Sequence, residues 1–152
     1  MEERPKIGVI SCSGEKCTGG SVARMITRKM LDTWRPHDVV TICLPLFIAG
    51  GTEERSFAKD FPTITIDGCK KKCAYRITEK LSGKVNASVD LSTVLGDELC
   101  ESTINQEPFS EELVIKTKKE VLQIFDRIRA EANFRELKQS GQYKGCGCVE
   151  EN

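Results

Sequence analysis

The sequence predicts an α/β domain of three layers, with a mostly parallel sheet of about four strands and helices on both faces. Three observations lead there. Four short runs, at 6–11, 39–42, 63–66 and 87–91, are apolar or β-branched. Segments of helical periodicity separate them. Glycine, proline and aspartate punctuate the junctions, as in Ser13-Gly14, Arg35-Pro36-His37-Asp38, Gly50-Gly51 and Asp67-Gly68. Strands that alternate with helices pair in parallel, because the helix carries the chain back to the same end of the sheet. Such crossovers are almost always right-handed.

Each element follows from its residues. Ile7-Gly8-Val9-Ile10 is a buried first strand that runs into Cys12-Ser13-Gly14. Gly19-Gly20-Ser21 opens a helix reaching about Leu31, with Val22, Met25, Ile26 and Met30 at helical spacing and Arg24, Arg28 and Lys29 on the polar side. A turn at Arg35-Pro36-His37-Asp38 precedes the second strand, which delivers Cys43 at its end. Gly50-Gly51 breaks the chain, and 52–61 reads as a short helix. Pro62 leads into the third strand, which Asp67-Gly68 ends. Cys69 starts the next helix, running to about Leu81, and the fourth strand follows. A long helix begins at Ser110, a good N-cap, with Glu111 and Glu112 at the positive end of its dipole. Val114, Val121, Leu122, Phe125, Ile128 and Ala132 make its buried stripe. Residues 1–140 read as one domain and 141–152 as a glycine- and cysteine-rich tail.

Composition narrows the function. A chain of 152 residues suits one domain with a sizeable core, and 39% apolar with 30% charged residues exclude a disordered chain. Lys+Arg and Asp+Glu both number 23, so no net charge draws the protein to nucleic acid, and aromatics of 6% supply few stacking platforms. The charged start, Met1-Glu2-Glu3-Arg4-Pro5-Lys6, lacks the apolar core of a signal peptide. The strongest apolar run, 42–49, contains Pro45 and is too short to cross a bilayer. The expectation is a cytoplasmic protein with neither nucleic acid nor membrane as partner; a homo-oligomer stays open.

Eight cysteines are many for that compartment, where thiols stay reduced unless they are catalytic or sensing. Metal ligation, redox chemistry and ordinary burial are the alternatives. Cys12, Cys43 and Cys69 all fall at carboxyl ends of expected strands, where ligand sites of open α/β sheets form. Zinc is usually held by four ligands, with Zn–S of about 2.3 Å. Cys69 and Cys73 are four apart and share one face of a helix that starts at Cys69, whose positive end favours thiolates. Gly68 permits a sharp turn, and Asp67 braces it by accepting bonds from loop amides. Lys16 and Lys70 offset thiolate charge, while Lys71 and Lys72 read as a solvated face.

Cys12-Ser13-Gly14, the Cys43-Leu44-Pro45 segment up to Gly50-Gly51, and Asp67-Gly68-Cys69-x-x-x-Cys73-Ala74, in that order, resemble the DGC-domain family of zinc-binding proteins, named for the Asp-Gly-Cys triplet. The resemblance covers roughly residues 7–95. It implies a cysteine-bound zinc in an α/β domain, with Cys12, Cys43, Cys69 and Cys73 as the matching ligands. Three features depart from the pattern. Cys17 is an additional thiol on the Cys12 loop and a substitute fourth ligand for Cys43. Cys100 has no counterpart and reads as structural. Gly145-Cys146-Gly147-Cys148 is a chelating pair that completes the main site, forms a second one, or bridges protomers.

Other motifs carry less. His37, the only histidine, lies in a turn, so no Cys-His or Ser-His pair for hydrolysis is indicated. The stretch Gly14 to Gly19-Gly20-Ser21 resembles a phosphate loop but has Gly20 where lysine is required, which leaves at most a small anion held by Gly14, Gly19, Gly20 and Ser21. Counting from Cys12, Thr18 occupies the place of a phosphatase arginine. The leading expectation is a zinc-binding protein in metal handling, sensing or an accessory role, with no catalytic constellation beyond the thiols. The alternatives on the same cysteines are a thiol–disulfide redox enzyme and an iron–sulfur protein.

Overall fold

The computed structural model describes residues 4–14, 16–103 and 111–141. Four parallel strands, β1 (Ile7–Ser11), β2 (Val39–Thr41), β3 (Thr63–Asp67) and β4 (Ala87–Asp90), lie in the order β2-β1-β3-β4. The α/β sheet and the four strands are as the sequence predicts. Helix α1 (Thr18–Lys29) and a π-helical turn (Met30–Trp34) connect β1 to β2. Three short helices, α2 (Leu44–Ala49), α3 (Thr52–Arg55) and α4 (Phe57–Asp60), lead to β3. Then come α5 (Cys73–Leu81), β4, α6 (Ser92–Leu95), α7 (Asp97–Glu101) and the long α8 (Glu111–Gln139).

Register decides which side chains share a face. Gly8 pairs with Thr63 and Ile10 with Thr65, while Thr65 pairs with Ser88 and Asp67 with Asp90. The alternate set, Ile7, Val9, Ile64, Ile66 and Val89, is buried on the other face. There it meets α1, through Val22, Ala23 and Ile26, and α8, through Val114, Val121 and Phe125. The Gly8 face carries α4 and α5: a Cβ at Gly8 would fall 2.6 Å from the Phe57 ring and 2.8 Å from the Thr63 hydroxyl, so a side chain here would force both to shift.

The order β2-β1-β3-β4 has a consequence for function. From β1 the chain crosses toward β2, and from β3 it crosses toward β4. These connections leave two neighbouring strands in opposite directions, which opens a crevice at their carboxyl ends. Cys12 follows β1 and Cys69 follows β3, so both stand at its mouth.

Several expectations need correction. The helix after β3 starts at Cys73, not at Cys69. Residues 69–72 form a turn in which the Lys72 amide donates to the Cys69 carbonyl at 3.1 Å, and Lys72 takes a left-handed φ of 50°. Cys69 and Cys73 are therefore not neighbours on a helix face. The apolar run 42–49 holds α2, because Pro45 sits in the first turn, where no amide partner is lost. The 52–61 segment is two short helices, and α6 and α7 lack a sequence signal strong enough to announce them. The α8 stripe includes Thr117, and Leu122 is only partly buried. Ser110 and the tail from Gln142, with Cys146 and Cys148, lie outside the described residues.

Candidate metal centre

Glycines bring the cavity walls together. A Cβ on Gly68 would lie 2.2 Å from the Gly19 carbonyl carbon, and one on Gly19 only 2.0 Å from the Gly68 oxygen. Gly20 meets Gly14 in the same way, with a Cβ falling 2.3 Å from the Gly14 oxygen. The start of α1 is thus packed backbone against backbone on both the β1 loop and the Asp-Gly-Cys turn. Of the residues marked for an anion, Gly14, Gly19 and Gly20 take part in this packing. The Ser21 hydroxyl accepts a bond from Arg24 at 3.0 Å.

Asp67 anchors α5. It is 1% exposed at the end of β3, and its Oδ1 accepts the Ala74 amide at 2.8 Å while Oδ2 accepts the Tyr75 amide at 3.1 Å. These are first-turn amides that have no partner within the helix. Lys72, at the N-cap position, makes no side-chain cap bond, so the strand residue caps the helix from below. Burial lifts the Asp67 carboxyl above its usual range; the two amides pull it back, Asp90 pushes it up and Lys72 draws it down.

Cys12 is buried, and its Sγ accepts the Gly68 amide at 3.2 Å. Burial pushes its thiol up, against the amides of Gly14 and Gly68; the charges of Asp67 and Cys73 push further in the same direction. A cavity of about 200 Å³ opens beside it. The thiols of Cys12, Cys17, Cys69 and Cys73 line it, together with Asp67 and Gly68 and with Lys71 and Lys72. Three of the four expected ligands, Cys12, Cys69 and Cys73, therefore line one cavity.

Cys43 is not in that lining. It is exposed at the head of α2, beyond the edge strand β2, while Cys17 at the head of α1 takes part. The spacing of Cys17 on the Cys12 loop is the signal that finds it. Lys71 and Lys72 also face the cavity rather than solvent alone, whereas Lys70 forms an ion pair with Asp97. Cys100 is fully buried.

Thiols are the donor set soft metals and zinc prefer, so the residues present fit such an ion in kind. Among the described residues, however, no three cysteine, histidine, aspartate or glutamate side chains are drawn together around one point. To share one ion, the four cysteine side chains would have to rotate toward a common point. Among the described residues, too, no helix is long and apolar enough to cross a membrane.

The DGC domain family model matches residues 8–120, from β1 into the first third of α8. No curated protein and no solved structure matches the chain.

Proposed function

The chain belongs to the DGC domain family, and we propose that it is a zinc-binding protein of a reducing, cytoplasmic setting that holds the metal on Cys12, Cys17, Cys69 and Cys73. The observation that carries this reading is that cysteines from two segments far apart in sequence, the loop after β1 and the turn after β3, line one cavity at the crevice between these strands. Burial above all, with the charges of Asp67 and Cys73, favours the protonated Cys12 thiol, so its thiolate forms when a cation takes the place of the proton. Lys71 and Lys72 at the same cavity offset the negative charge that four thiolates leave on a divalent ion. A closed set of four thiolates suits metal handling, sensing or a structural accessory role rather than catalysis, which needs an open coordination position.

Elemental analysis of protein purified without added metal tests this. About one equivalent of zinc is expected, lost in Cys12→Ser, Cys69→Ser and Cys73→Ser and retained in Cys43→Ser. Less than about a tenth of an equivalent in the unaltered chain, unchanged in Cys69→Ser, refutes the reading.

One observation favours redox chemistry instead. A disulfide needs only two thiols, and no three donors are gathered among the described residues. Rapid, reversible loss of two thiols under mild oxidant supports that second reading, and slow, zinc-protected reaction opposes it. Visible absorption after anaerobic purification identifies an iron–sulfur cluster.

A further inference from the structure

The thiol cavity sits where β1 and β3 end. Where the same two strands begin, at the other edge of the sheet, lies an open groove of about 580 Å³. The Gly8 amide donates to the Pro62 carbonyl at 2.9 Å, which sets the stretch before β1 beside the stretch before β3. Arg4 and Lys6 line the groove from the first stretch, Lys59 from the end of α4, and Arg135 from the last turns of α8. Ala132, Arg135, Glu136 and Gln139 follow helical spacing, so one face of α8 makes a wall. Four cations thus share the groove with two carboxylates, Asp60 and Glu136, and Asp60 already accepts the Ser56 hydroxyl. Among the described residues, none of the four cations forms an ion pair or a side-chain hydrogen bond, whereas Arg129, earlier on α8, pairs with Asp38. The negative end of α8 favours a cation at Arg135, but Arg4, Lys6 and Lys59 belong to other segments. The formal net charge of the chain is zero, so this local surplus does not follow from a basic composition.

We propose that this groove binds a small molecule bearing at least two phosphate groups. Four cations against two carboxylates leave more than one positive charge to be met, which calls for an anion of multiple charge. Arginine and lysine are the side chains suited to phosphate oxygens: the guanidinium offers paired N–H donors, and the ammonium acts as a point charge. The volume falls within the range of about 300–1,000 Å³ usual for small-molecule sites, so the groove has room for the rest of such a molecule. Phe61 and Pro62, both half-buried, supply an apolar wall for that part. The site uses no thiol and stands whether or not the cysteines hold zinc.

The test uses the whole chain as purified, with inorganic pyrophosphate as the probe and ionic strength held constant. Calorimetric titration is expected to show one saturable site with a Kd below about 1 mM. Amide NMR shifts should map the binding to residues 4–8, 59–63 and 132–139. Lys59→Gln combined with Arg135→Gln should weaken it about tenfold or more, since each removes a charge-assisted bond. Lys116→Gln combined with Lys119→Gln removes the same charge at exposed positions outside the groove and should change Kd by less than about twofold. All four side chains are exposed, so both variants should fold as the unaltered chain does. No saturation up to about 10 mM, equal weakening in the two variants, or shifts confined to residues 14–21 and 68–73 overturns the proposal. Zinc content, measured separately, tests the other reading without bearing on this one.

Discussion

The Gly68 amide donates to the Cys12 sulfur across 3.2 Å, joining residues 56 positions apart. That bond ties the end of β1 to the end of β3, the two strands that flank the crevice. It exists because Gly68 comes close enough to touch the start of α1, which only a residue without a side chain can do.

Gly68→Ala is therefore expected to destabilise the fold by about 1–3 kcal/mol, the usual cost of forcing an extra carbon into a packed site. For a chain of this size that lowers Tm by roughly 2–12 °C. Thermal unfolding measures it, and a shift below about 1 °C contradicts the close packing of Gly19 on Gly68.

Asp67 holds the head of α5 through the Ala74 and Tyr75 amides. Asp67→Ala is expected to lose about 0.5–2 kcal/mol, the range for losing a helix cap. Asp67→Asn should fall between the two, because its amide nitrogen cannot accept the second bond. Urea denaturation ranks the three, and hydrogen exchange at Ala74 and Tyr75 should quicken in the alanine variant. An alanine variant as stable as the unaltered chain removes the capping role.

Phe125 is fully buried on α8, facing the sheet, with the guanidinium groups of Arg35 and Arg129 each 5.8 Å from its ring centroid. Phe125→Ala is expected to cost about 3–5 kcal/mol. Ile115, 60% exposed on the same helix, should change stability by no more than about 0.5 kcal/mol when replaced by alanine. Equal effects in denaturant titrations are incompatible with α8 packing on the sheet through this face.

Burial, then the charges of Asp90, Cys69, Asp97 and Glu101, push the Cys100 thiol from 9.0 up to about 11. Because the folded value is the higher one, the folded chain binds more protons than the unfolded chain between these limits. Its contribution to stability is complete below pH 9.0 and declines as pH rises toward about 11. Stability measured across that window should fall more steeply in the unaltered chain than in Cys100→Ala. Parallel curves exclude Cys100 as the group responsible.

Much of this was legible beforehand because it is local. Alternating and helical periodicities are written into neighbouring residues, so the strand runs around Val9, Thr41 and Ile64 and the Val121, Phe125, Ile128 stripe of α8 could be read directly. The start of α5 was misplaced because Lys72 takes a left-handed conformation that its residue type disfavours, and a capping aspartate five residues upstream of Lys72 is outside the usual signal. The segments α6 and α7 escaped because four or five residues carry too little periodicity to register.

The chain's residues alone determine an α/β fold, a family and a supply of thiols at strand ends. Which thiols meet is a matter of strand order. With β1 and β3 adjacent at the centre and β2 on the edge, Cys12 and Cys69 flank one crevice while Cys43 departs with α2. Cys17 and Cys73 enter the same cavity because glycine contacts at positions 19, 20 and 68 pull the head of α1 against two loops. Such contacts join residues tens of positions apart, and no short-range pattern encodes them.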